Sequence, residues 1–168
     1  MSKLIMMVGI PGSGKSTYAK KMKAEYEVYV SRDDIRFSMV NEDEPYFSRE
    51  KEVFTKFVKT ISDALKNDLT VWADATHIST HARLKLLCGL DIEPDEIEII
   101  YMNTPLERCL AQNELRKGTR SYVPEDVIFE MHENLTFPSH HEGKFIYNTV
   151  WIKTPETVII PIYKEDDE

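Results

Sequence analysis

The stretch VGIPGSGKST, Val8–Thr17, constrains the fold more than any other part of the chain: an apolar run leads into three glycines and a proline, then Lys-Ser-Thr. A hydrophobic core has no use for that composition. Gly9-Ile10-Pro11-Gly12-Ser13-Gly14-Lys15-Ser16 fits G-x-x-x-x-G-K-[ST] at every fixed position, with a strand-like run before it and a helical pattern after it. Glycines let such a loop turn so that successive backbone N–H groups point inward at phosphate oxygens, where side chains would obstruct the approach. A helix beginning near Lys15 adds the positive end of its dipole. Gly9, Pro11, Gly12, Ser13, Gly14 and Thr17 are therefore expected to shape a phosphate cradle. Lys15 is expected to reach the β- and γ-phosphates of ATP, and Ser16 to hold Mg²⁺ through its hydroxyl.

Short apolar runs alternate with longer helical patterns along the rest of the chain, which indicates an α/β domain with a mostly parallel sheet. Strands are expected at Lys3–Val8, Glu27–Ser31, Thr70–Ala73, Ile97–Asn103 and Thr149–Ile152, with a further apolar run at Val158–Tyr163. Helices are expected at Lys15–Glu25, Arg49–Asn67, His77–Leu87, Pro105–Arg116 and Pro124–Asn134. TPLE, Thr104–Glu107, reads as a capping box with proline at the first helical position, and VPED, Val123–Asp126, again places proline first and acids in the opening turn. At 168 residues, with no repeat, linker or low-complexity segment, the expectation is one domain over residues 1–168 whose charged tail, 164–168, is frayed.

A net charge of −8 argues against a chain that traps nucleic acid or anionic membranes as a whole, so any polyanion needs a local basic groove. The apolar start is too short for a signal peptide, and no run approaches the roughly 20 residues that cross a bilayer. The expectation is a soluble cytoplasmic protein with no membrane partner. Cys88 and Cys109 sit in no metal spacing and are expected to be small buried thiols on helices.

A phosphate cradle does not separate a kinase from a hydrolase or a nucleotide switch. YVSRDDIR places Arg32, Asp33, Asp34 and Arg36 just past the second strand, and parallel sheets bind ligands beyond the carboxyl ends of their strands. If a helix starts at Asp33, Asp33 and Arg36 share a face. A carboxylate there can accept the proton of an attacking hydroxyl, and the arginine can bind an anionic group on the same acceptor; a solvated ion-pair cluster is the other reading. TVWADATH puts Asp74 at the end of an apolar run, suited to the metal side or to orienting Arg36, although a plain turn acid would look the same. His77 and His81 are i, i+4 on an expected helix without a third ligand, so His77 is read as touching substrate in preference to binding zinc. SHH, Ser139–His141, reads as a polar surface loop.

The order P-loop, RDDIR, DATHIS, then RKGTRSYVP leading into a helix resembles the P-loop polynucleotide kinases, the 5′-hydroxyl kinase module of phage and bacterial end-healing enzymes, and the wider zeta-toxin-like kinases. The likeness runs from about Leu4 to Ile152. It implies a three-layer P-loop kinase fold, a central mostly parallel sheet flanked by helices with a helical or loop lid over 113–123. It also implies Asp33 as general base, Arg36 and Asp74 at the acceptor and metal side, and a lid arginine on the donor phosphates. The lid pattern departs here: Gln112-Asn113 stands where the family has Arg-Asn, and an extra residue separates Arg116 from Gly118. Arg116 is the first choice, with Lys117 and Arg120 open. No D-x-D-G-T phosphatase signature follows. The implied function is transfer of the γ-phosphoryl group of ATP to an acceptor hydroxyl, foremost a polynucleotide 5′-OH. A small-molecule kinase on the same scaffold, or an ATP-binding regulator without transfer, are the alternatives.

Overall fold

The computed structural model describes residues 1–155. Strand β1, Lys3–Val8, carries five successive residues without a charge after Lys3 because it is covered on both faces. Leu4, Met6 and Val8 point to one side, into a core with Phe57, Ile61 and Leu65 of helix α3, Glu50–Lys66, and Leu86 and Leu87 of helix α4, Thr80–Gly89. Ile5 and Met7 point to the other, against Ala19 of helix α1, Lys15–Met22, together with Trp72, Ile100 and Met102. Alternation at period two thus sorts one strand between two cores.

Strands β2, Val28–Ser31, β3, Thr70–Asp74, β4, Glu96–Met102, and β7, Thr149–Lys153, complete a five-stranded sheet in the order β2-β3-β1-β4-β7 with every pairing parallel. All five match the expected strands to within one residue at each end. The Val158–Tyr163 run and the tail lie outside the described residues. With β1 central, its carboxyl end opens beside that of β3, whose other neighbour is β2, and Ser31 and Asp74 are register partners between those two strands. That juxtaposition positions the site.

The helix starts are where expectation and structure part. Helix α2, Arg32–Met39, begins one residue before the expected Asp33: Ser31 caps it by accepting from Asp34 N at 3.2 Å, and Asp33 and Asp34 fill the first turn. Helix α5, Leu106–Glu114, is not capped by Thr104. Pro105 occupies the cap position, and the Thr104 hydroxyl donates to Ser13 O at 2.7 Å, tying α5 to the phosphate loop. Helix α4 starts at Thr80, not His77. Ser79 is its cap, accepting from Ala82 N at 3.0 Å, and His77 stands at φ 44°, outside any helix, so His77 and His81 share no helical face. Helix α6, Glu125–Glu133, follows Pro124 as expected. Of the two cysteines only Cys109 is buried; Cys88 sits on the exposed side of α4, correcting the expectation of two buried thiols.

A two-stranded hairpin, β5, His141–Glu142, and β6, Phe145–Ile146, appears where sequence gave only a polar loop. His141 is exposed as expected, but its neighbour Glu142 turns inward. Glu142 accepts from Arg83 Nε at 2.8 Å and Nη2 at 2.7 Å and from the Tyr147 hydroxyl at 2.6 Å; Arg83 is fully buried. The third arm of that guanidinium, Nη1, donates to His77 O at 2.8 Å. A buried charge is tolerated only when paired and hydrogen-bonded. Here the pairing also fixes the chain that leaves β3.

Candidate active site

Gly14 and Gly12 stand at φ 87° and 81°, a region that L side chains rarely adopt, and a Cβ at Gly12 would fall on the carbonyl of Cys109. Gly14 is the residue before α1, and no acid lies in the first turn of that helix. Its free N–H groups and the positive end of its dipole therefore face the loop. Lys15 follows with no hydrogen bond or ion pair to any described residue. The loop is held from behind by Thr104 and by Gly9 N donating to Thr76 O at 3.0 Å.

A cavity of about 490 Å³ opens over this loop, lined by Pro11, Gly12, Gly14, Lys15, Ser16 and Thr17 of the loop and by Asp33, Arg36, Asp74 and Arg116 among others. Gly9 and Ser13 lie beneath it, both buried. Asp74 is 3% exposed, and its Oδ2 accepts from Ser16 Oγ at 2.5 Å and from the Tyr29 hydroxyl. Paired hard oxygen donors beside a phosphate cradle suit a divalent cation such as Mg²⁺, so Ser16 and Asp74 are the residues that would hold one. Among the described residues no cluster of three or more His, Cys, Asp or Glu could hold a metal, so Ser16 and Asp74 would share the cation with the phosphates of the nucleotide.

Asp33 and Arg36 meet as the i, i+3 spacing predicts. One oxygen of Asp33 accepts from Arg36 Nη1 and from the Tyr46 hydroxyl, the latter at 2.7 Å, while the side chain remains 58% exposed toward the cavity. Arg36 itself is only 5% exposed. Its Nε and Nη2 form a fork on Glu50 at 2.8–3.0 Å, and Nη1 also reaches Tyr46 Oη at 2.8 Å, so every nitrogen of the guanidinium is engaged within the chain. Glu50 also accepts from Arg32 Nη2 at 2.5 Å. Burial, then the Asp33 charge, pushes the Tyr46 phenol well above its ordinary range, which keeps it a donor. Sequence reading missed Tyr46 and Glu50. The available signal was an acid at the head of the amphipathic helix α3, preceded by two aromatics.

The segment expected to form a lid leaves α5 after Glu114 and is closed at its base by Asn113, whose amide donates to Val123 O at 2.7 Å and accepts from Val123 N at 3.0 Å. Arg116 lines the cavity. Arg120 is drawn away from it: it stacks on Phe37 at 4.7 Å and donates to the carbonyls of Phe37 and Val40 at the end of α2. Lys117 is exposed beside Glu114. Of the three open candidates, only Arg116 lines the cavity.

His77 is not on the cavity wall. It is 4% exposed, and Nδ1 lies 2.7 Å from Met7 O; a carbonyl can only accept, so Nδ1 carries the proton. Burial pushes the imidazole down to about 4; the Met7 carbonyl and Asp74 partly oppose this, and Arg32 and Lys15 reinforce it. His77 therefore stays neutral in the folded protein where an unfolded histidine, near 6.5, takes up a proton. Stability should be complete above about pH 6.5 and fall toward pH 4 by up to about 1.4 kcal/mol per unit. Urea unfolding at pH 7 and pH 5 reads this out: in His77→Asn, whose side chain tolerates positive φ, the difference between the two pH values should shrink by about 1–2 kcal/mol. An unchanged difference would mean that His77 does not titrate in this way.

Residues 4–138 match the family model AAA_33, described as an AAA domain. The chain belongs to this family. Among solved structures, the AAA_33 chain is similar to one in the Pnkp1/Rnl/Hen1 RNA repair complex, with 26% identity and a TM-score of 0.68 over 80% of this chain and 44% of that one. It therefore spans less than half of that protein's length. It is also similar to Chaetomium thermophilum Kti12 in complex with ADP-AlF3, at 17% identity and TM-score 0.63, over 98% of this chain and 91% of the other. A gluconokinase from Sinorhizobium meliloti 1021 matches at 15% identity and TM-score 0.61, over 92% and 83%. These two likenesses speak for fold alone. The AAA_33 chain has the P-loop kinase fold, a nucleotide-binding scaffold, and no helix among its described residues is long and apolar enough to cross a membrane.

Proposed function

We propose that the protein is an ATP-dependent phosphotransferase that moves the γ-phosphoryl group to an acceptor hydroxyl, with the 5′-OH of a polynucleotide as the leading acceptor. The observation that carries this is the sharing of one cavity by a phosphate loop and a partly exposed, hydrogen-bonded carboxylate, Asp33. A switch has no need of an oriented base beside the cradle, and a hydrolase would direct one at water, so dependence of ADP release on the acceptor is what separates transfer from hydrolysis. The acceptor oxygen attacks the γ-phosphorus while its proton passes to Asp33; the bond from that phosphorus to the β-phosphate oxygen breaks, and ADP leaves with the electron pair. Lys15 and Arg116 offset charge on the transferring group. Mg²⁺, when bound by Ser16 and Asp74, supplies further charge neutralisation.

Similarity to a chain of an RNA repair complex supports the nucleic-acid reading. One feature favours a small-molecule acceptor instead. Arg32 and Arg36 are matched by Asp33 and Glu50, so this wall carries no net charge to attract a phosphate. Transfer of labelled phosphate from ATP to a panel of 5′-OH oligonucleotides, nucleosides and sugar acids separates the two. Preference for oligonucleotides supports the first reading; exclusive use of sugar acids would overturn it.

The same network changes what Arg36 is expected to do. With all its nitrogens engaged, its supported role is to hold Asp33 in place. Arg36→Lys keeps the charge but not the fork, and should lower turnover about tenfold with ATP affinity and acceptor KM nearly unchanged, as expected for loss of orientation. A rise in acceptor KM alone would instead point to a direct phosphate contact.

A further inference from the structure

We infer that Tyr29 is a positioning residue for the cation of the bound nucleotide, acting through Asp74; this rests on the phosphoryl-transfer reading above. Tyr29 lies on β2 opposite Trp72, so Asp74, two residues further along β3, is its diagonal neighbour on the same face of the sheet. A tyrosine is long enough to span that diagonal, and its hydroxyl donates to Asp74 Oδ2. Ser16 Oγ donates to the same oxygen at 2.5 Å. Two hydroxyls arriving from different elements, β2 and α1, therefore fix both the tilt of the carboxylate and the oxygen that is spent on the protein. Oδ1 accepts no hydrogen bond from the described residues and is not among the enclosed polar atoms without a partner, so it is the oxygen that Asp74 presents to the cavity.

The phenol is suited to a permanent donor. A carboxylate oxygen can only accept, so in this contact the phenol hydroxyl is the donor and its proton is committed to Asp74. The ring is braced independently of the hydroxyl: it packs on the core of Ile5, Met7, Ala19 and Trp72, and Lys20 Nζ lies 5.4 Å from its centroid. Removing the hydroxyl leaves that packing in place and leaves Asp74 with Ser16 alone. Ligating carboxylates depend on such partners: their loss commonly costs ten- to a hundredfold in metal affinity.

The test is Mn²⁺ binding, followed by electron paramagnetic resonance in the presence of ADP, on the full chain. Tyr29→Phe should raise the Mn²⁺ dissociation constant about tenfold or more, while ADP affinity in EDTA and the melting temperature stay close to wild type. Lys20→Ala, which touches the ring and not the hydroxyl, should leave Mn²⁺ affinity unchanged. Should Tyr29→Phe fail to fold, Tyr29→Trp, which restores an aromatic without the hydroxyl at that point, replaces it in the same measurement. Wild-type Mn²⁺ affinity in a folded variant lacking the hydroxyl, with Asp74→Asn still impaired, overturns the role of Tyr29 alone. Absence of ADP-dependent Mn²⁺ binding in wild type overturns the cation site itself, and the inference falls with it.

Discussion

Asp33→Asn is expected to lower turnover by about 10²–10⁴-fold while leaving ATP affinity within about twofold of wild type. The substitution keeps the size of the side chain and leaves a carbonyl to accept from Arg36 and Tyr46, but it removes the capacity to take a proton. Proton acceptance is the one property at stake because Asp33 lines the cavity while being held by the donors Arg36 and Tyr46 and not by the phosphate loop. Asp34→Asn is the control: Asp34 lies outside the cavity lining and serves the first turn of α2. Steady-state kinetics on both variants checks the assignment, and a dispensable Asp33 beside an essential Asp34 would shift the base by one residue.

Lys15→Ala should cost about two to three orders of magnitude in transfer, the range seen when a single preorganised charge or donor at a developing oxyanion is lost. Lys15 makes no ion pair with any described residue, so its removal breaks no structural bond and the melting temperature should hardly move. Both kinetics and nucleotide affinity should fall, since in the proposed transfer the ammonium would face the ground-state phosphates as well as the transition state. Near-wild-type transfer by folded Lys15→Ala would remove the basis for reading the loop as a phosphate cradle.

The parts of this site legible in sequence are those fixed by local chemistry. The glycines of the loop report a backbone conformation that few residues can adopt, and Gly12 and Gly14 take it at positive φ. The apolar run of β1 reports a strand because a central parallel strand covered on both faces leaves no polar position after Lys3 to confuse the pattern. Arg36 meeting Asp33 followed from helical spacing alone.

What failed to show was decided by distant parts of the chain. His77 lies in a stretch with helical composition, but its conformation is set by Met7 from β1 and Arg83 from α4, and a single-segment pattern contains neither. Thr104 has the sequence of a cap, and its hydroxyl goes to Ser13, 91 residues away. Glu50 and Tyr46 reach Arg36 across a turn whose path no periodicity describes. Glu142 sits in a strand of two residues, too short for alternation to register, and its burial depends on the arginine it meets.

The central claim is that this cavity delivers phosphate to a hydroxyl and not to water. The direct measurement is the fate of label from γ-labelled ATP with a 5′-OH oligonucleotide, compared with the same oligonucleotide already carrying a 5′-phosphate. The account predicts ADP and labelled oligonucleotide in equal amounts with the first and little ADP with the second. ADP formed at the same rate with either, with the label recovered as inorganic phosphate, would contradict it.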